Sequence, residues 1–157
     1  MTNAMNPPTP QQVTVLDCVD EIHLALEGIV GLAQLLRRAV ASATPVGNIA
    51  LFGLSQAVHW NAGRCDDSLD MWYQLPGEKL PISHYHIVRL RLETLHQQAE
   101  FVAQAGDATA APDLESPTAE HLASLAARLI EQAEVLTELV SAARAAGEGQ
   151  PPGAPLH

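Results

Sequence analysis

Apolar residues recur every three or four positions through most of the chain. The first series is Val15, Val19, Ile22, Leu26, Ile29, Ala33, Leu36 and Val40. Its steps alternate between four and three without a miss, the seam that a helix turns toward a partner helix. This spacing predicts a first helix over 13–42. A second seam reads Leu51, Ser55, Val58, Ala62, Cys65, Leu69 and Trp72, with Thr44 and Pro45 as its cap and first turn. A third starts at Ser83 as N-cap and carries Tyr85, Val88, Leu92, Leu95, Ala99 and Val102 as far as Ala105. The fourth opens at Ser116-Pro117, buries Leu122, Leu125, Leu129, Leu136, Leu139 and Ala143, and ends at Gly147. Strand-like alternation is seen nowhere. The pattern predicts an all-α fold, an antiparallel four-helix bundle with long helices and disordered termini.

The breaks between the seams set the organisation. Pro76-Gly77 marks a turn between the second and third helices. The stretch from Gly106 to Ser116, "GDATAAPDLES", reads as a flexible connection. Residues 1–12 hold three prolines and no periodicity, and 148–157 have the same character, so both are expected to be disordered. A single helical-bundle domain over 13–147 is left between them.

Composition narrows the function. At 157 residues the chain is long enough to bury a core without staples. With 47% apolar residues and 4% aromatics, that core must be built of Leu, Ala, Val and Ile. Eighteen acidic residues against eight basic ones give a net charge of -10. Such a surface repels phosphate backbones and anionic lipid, so neither nucleic acid nor a membrane is expected as a partner. It suits another protein, above all a basic one. Cys18 and Cys65 make no C-x-x-C pair and no disulfide framework. The first residues show no basic stretch leading into an apolar one, as a secretory signal would. With no apolar run of about eighteen residues either, a cytoplasmic protein is expected.

Beside each seam runs a polar stripe of the same period. Asp20, His23 and Glu27 lie on the first helix, and His59, Gly63, Asp66 and Asp70 on the second. His86, Arg89, Glu93 and His96 lie on the third, and Arg128, Glu131, Glu134 and Glu138 on the fourth. Short antiparallel turns bring His23 level with Cys65 and Asp66 level with Arg91. Asp17, Asp20, His23, Asp66, Asp67, Asp70, Arg89, Arg91 and Glu131 then occupy one slab of the bundle. The plain reading is a set of solvated ion pairs with no cofactor. The alternative gathers Asp20, His23, Asp66, Asp67 and Asp70 around Mg²⁺ or Mn²⁺, which favour oxygen ligands, for hydrolysis of phosphate esters or nucleotides.

Three resemblances bear on that alternative. Asp66-Asp67-Ser68-Leu69-Asp70 resembles the aspartate-rich motif of prenyl synthases, whose aspartates hold Mg²⁺ on a diphosphate. Those enzymes are about twice as long, with a second acidic motif and more phosphate-binding cations, and that family is set aside. Asp17-x-x-Asp20, Asp67-x-x-Asp70 and Glu131-x-x-Glu134 loosely resemble the acidic pairs of small all-helical nucleoside-triphosphate pyrophosphohydrolases. Glu93-x-x-His96 and Asp20-x-x-His23 resemble half of a di-iron carboxylate bundle, but the turns set their histidines at different heights.

One end of the bundle concentrates aromatic and polar groups. Trp72, Tyr73, His84, Tyr85, His86 and Arg89 meet across the second turn and are the expected partner or ligand surface. Leu24, Val30, Leu32, Leu35 and Leu90 lie off the seams, an apolar excess that suggests self-association as a homodimer. No nucleophile motif such as G-x-S-x-G and no Gly-rich phosphate loop is present. The expectation is therefore an interaction module, an adaptor, regulator or inhibitor of a partner protein. A metal-dependent phosphohydrolase is the alternative.

Overall fold

A computed structural model describes residues 12–110 and 118–149. They form α1 (Val15–Ala41), α2 (Asn48–Gln74), α3 (Ile82–Ala110) and α4 (Ala119–Glu148). Each helix packs on its neighbours in chain order, α4 closes back on α1, and the diagonal helices stay apart. The fold is an all-α, up-down-up-down four-helix bundle. No strand occurs among the described residues.

The seams are the core. Every predicted seam position of α2, from Leu51 to Trp72, is buried, as are Val88 to Val102 on α3. On α1 the seam is buried from Val19 to Leu36 and widened by Cys18 and Ala25, while Val15 and Val40 are half-buried at its ends. On α4 the core takes Ala126, Ala133 and Val140, and Leu139 sits at its edge. Small residues at these positions let the helices approach closely, which offsets the scarcity of aromatics.

Helix ends depart from expectation. Thr14 caps α1 in a reciprocal capping box with Asp17. α1 closes in a Schellman motif: Thr44 N–H donates to the Ala39 carbonyl and Ala43 N–H to that of Val40. Ala43 takes the left-handed conformation, φ 52°, that this motif demands. Thr44 and Pro45 therefore belong to the closure of α1, and Gly47 is the N-cap of α2. α3 starts at Ile82, one residue before the expected Ser83 cap, with the Pro81 carbonyl accepting from Tyr85 N–H. Thr118 caps α4 by accepting from His121 N–H. The expected Ser116-Pro117 cap lies outside the described residues.

α3 also runs past the expected stop at Ala105. Val102, Ala105 and Gly106 are buried, and a Cβ on Gly106 would lie 3.1 Å from the Asn48 carbonyl oxygen of α2. Packing against the start of α2 carries the helix through a glycine that propensity disfavours by about 1 kcal/mol. The remainder of the predicted flexible connection, residues 111–116, lies outside the described residues, as do 1–11 and 150–157 of the two ends expected to be disordered.

The α2–α3 link is docked. Gly77, at φ 110°, turns the chain, and Leu80 enters the core beside buried Pro81. There the Lys79 carbonyl oxygen lies 2.9 Å from where a Cβ on Gly147 of α4 would be. Among the described residues, no helix is long and apolar enough to cross a membrane.

Candidate functional site

The polar stripes of α2 and α3 meet along one edge of the bundle. His59, Asp66 and Asp70 repeat on one flank of α2 at spacings of seven and four. Tyr85, Arg89, His96 and Glu100 face them on α3, and the antiparallel register interleaves the two sets. At the turn end, the Tyr85 hydroxyl donates to Asp70 Oδ1 at 2.8 Å and Arg89 Nη1 donates to the same oxygen at 2.7 Å. Arg89 also approaches Asp66 Oδ1 at 3.9 Å. Asp66 Oδ2 lies 2.8 Å from His96 Nε2. His96 Nδ1 in turn lies 3.0 Å from His59 Nδ1, and His59 Nε2 is 3.8 Å from Glu100 Oε2.

Together these contacts make a continuous ladder of alternating charge and ring. Its aromatic end is Tyr73 against Tyr85, ring centres 4.5 Å apart, with the Arg89 guanidinium 5.9 Å from the Tyr85 ring centre. His86 meets Tyr85 edge-on. The hydrogen bond to Asp70 raises the Tyr85 phenol above the ordinary tyrosine range, because the neighbouring carboxylate holds its proton; burial adds to the effect. A depression of about 240 Å³ opens between Asp66, Arg89, Glu93 and His96.

The candidate metal set is divided between two faces. Heights match expectation: the Cys65 thiol donates to the Ile22 carbonyl at 3.7 Å, and Arg64 pairs with Glu21 at 2.7 Å. Rotation about the helix axes does not. Asp20 and His23 line an α1–α4 groove with Ser141, Arg144, Ala145 and Glu148, whereas Asp66 and Asp70 face α3. Asp67 is exposed on α2, and Asp17 is engaged in the α1 capping box. Among the described residues no three His, Cys, Asp or Glu side chains gather so as to hold a metal ion. Cys65, inside the seam, is fully buried, and burial with the nearby Asp66 charge pushes its thiol up to about 12. It acts as a small core residue.

The expected partner surface is also redistributed. Trp72 is 1% exposed and fills the core, so it presents nothing to a partner. His84 and Tyr85 are half-buried, Tyr73 and His86 are exposed, and Arg89 is tied to Asp70. His59, His96 and Glu100 were not among the expected site residues. The signal for them was the register: His59 and His96 stand on facing stripes at nearly equal distances from the Pro76-Gly77 turn.

A second surface feature is apolar. Leu32, Leu35, Leu36 and Ala39 of α1, with Val46 and with Ala50, Gly53 and Leu54 of α2, line a groove of about 300 Å³. Leu35 at its rim is 62% exposed, and Leu24 on the same helix is 56% exposed. Val30 and Leu32 are half-buried, and Leu90 projects from α3. A Cβ on Gly31 or Gly53 would meet nothing within 4 Å, so internal packing does not require either glycine. No protein-family model matches the chain, and comparison with curated proteins and with solved structures finds no match.

Proposed function

We propose that the protein acts by binding another protein, as an adaptor, regulator or inhibitor, and that it self-associates through the α1–α2 face. The observation that carries this reading is the apolar groove between those helices, rimmed by exposed Leu35. Contiguous apolar surface of this kind, bounded by charge, is the common mark of an interface. Elsewhere on α1 the exposed Glu27, Arg37 and Arg38 carry its charge. Gly31 and Gly53 leave room for side chains from outside at a helix-propensity cost of about 0.8–1 kcal/mol each. Two antiparallel helices presenting a groove and a projecting leucine can pair with their own copy about a two-fold axis, the commonest closed arrangement.

Sedimentation equilibrium of the full chain tests this. The wild type is expected to dimerise and Leu35→Glu to be monomeric with unchanged helicity. Leu90→Glu, on α3 away from the groove, is expected to remain dimeric. A wild type that stays monomeric at its highest attainable concentration overturns self-association, and a dimeric Leu35→Glu overturns the assigned face.

A further inference from the structure

The contact between His59 and His96 joins two identical nitrogens, and that sets a proton count. Their ring centres lie 5.3 Å apart, little more than the 3.0 Å contact plus the half-width of each ring. The two Nδ1 atoms therefore point nearly straight at one another. Such a contact holds only if one nitrogen carries a hydrogen and the other offers its lone pair. Ionised Asp66 can only accept, so the proton at His96 Nε2 is fixed by the 2.8 Å contact between them.

Three protonation states follow. With both rings neutral, His59 Nδ1–H donates to the lone pair of His96 Nδ1. With one added proton, two N–H groups of the pair have acceptors, Asp66 and the facing ring, and the third, on His59 Nε2, lies at ion-pair distance, 3.8 Å, from Glu100. The imidazolium then lies between two carboxylates. With two added protons, a hydrogen sits on each Nδ1, the two face each other about 1 Å apart, and the contact is lost. Other charges facing the pair are Glu93 and Arg89 of α3, which line the adjoining depression. Among the described residues, no side chain of α1 or α4 forms an ion pair or hydrogen bond with either ring.

We propose that His59 and His96 form a one-proton latch between α2 and α3, closed with at most one added proton and opened by the second. The open form binds one proton more than the closed form. Opening is therefore favoured as pH falls, by at most tenfold per pH unit. Both rings are half-buried, 31% exposed at the side chain, so solvent reaches them without unfolding the bundle.

The test is imidazole ¹⁵N spectroscopy of the full chain from about pH 8 to pH 5, the span in which histidines change charge. Wild type is compared with His59→Gln and His96→Gln. In the wild type the second protonation is expected to break the Nδ1–Nδ1 contact, so that the signals of both rings change together. In each variant the remaining ring has no such contact to lose and is expected to change in a single step. Hydrogen-exchange protection of the α2 amides around His59 should fall with that second step in the wild type and stay level in both variants. Two rings titrating independently in the wild type, or protection that ignores the second step, overturns the latch.

Discussion

Ala43 occupies a backbone conformation that a side chain pays for. Left-handed φ costs an L-residue about 1–2 kcal/mol, and glycine escapes it. Glycine gives back part of that gain by loosening the unfolded chain. Ala43→Gly is therefore expected to stabilise the protein by about 0.5–1 kcal/mol, read as a higher urea midpoint at unchanged slope. Tyr85 supplies a pH signature. Its raised folded-state value means that the Asp70 hydrogen bond contributes stability fully present below the ordinary tyrosine range, about pH 10. That contribution is lost as pH rises through the folded value. Urea midpoints at pH 9 and pH 11 should fall further in the wild type than in Tyr85→Phe, and an equal fall in both would refute the role of this hydroxyl.

Helices were legible because burial and period coincide. The α2 seam is uninterrupted, and its seven positions are all buried, even where Ser55 is polar. Caps were less legible, because local chemistry offered competing choices. Thr44-Pro45 has the form of a helix start, yet the Schellman closure of α1 claims Thr44 first. The site was half legible. Spacing along a helix fixes approximate height: His23 is expected level with Cys65, and the neighbouring Ile22 carbonyl is what the thiol meets; it does not say which neighbour a flank faces. Asp20 and His23 consequently went to α4 and Asp66 to α3.

Nor did spacing reveal why Gly147 is a glycine, since the reason is the distant Lys79 carbonyl. A methyl group there would press on backbone at 2.9 Å. Overpacking costs about 1–3 kcal/mol, and the helix propensity of alanine returns at most about 1. Gly147→Ala should lower the thermal midpoint, whereas Gly63→Ala, in open space away from the groove, should raise it.

Across the whole molecule, charge and apolar surface act in opposition. A net charge of -10 on each copy disfavours pairing, while the α1–α2 groove favours it. Added salt screens the first and leaves the second, so the proposed dimer should tighten from low ionic strength to about 0.15 M. Its melting temperature should also rise with protein concentration, and that rise should vanish in Leu35→Glu.

The ring order has a consequence for how the chain is made. Three of the four helix pairings join consecutive segments, and one, α1 with α4, joins the first helix to the last. As the chain leaves the ribosome, α1 to α3 can assemble while one wall of the core is still missing. The core residues that α1 and α3 turn toward α4 then remain open to water until it arrives. The thirty-residue α4 is in this sense the wall that closes the bundle. The nascent bundle is at its stickiest just before α4 emerges.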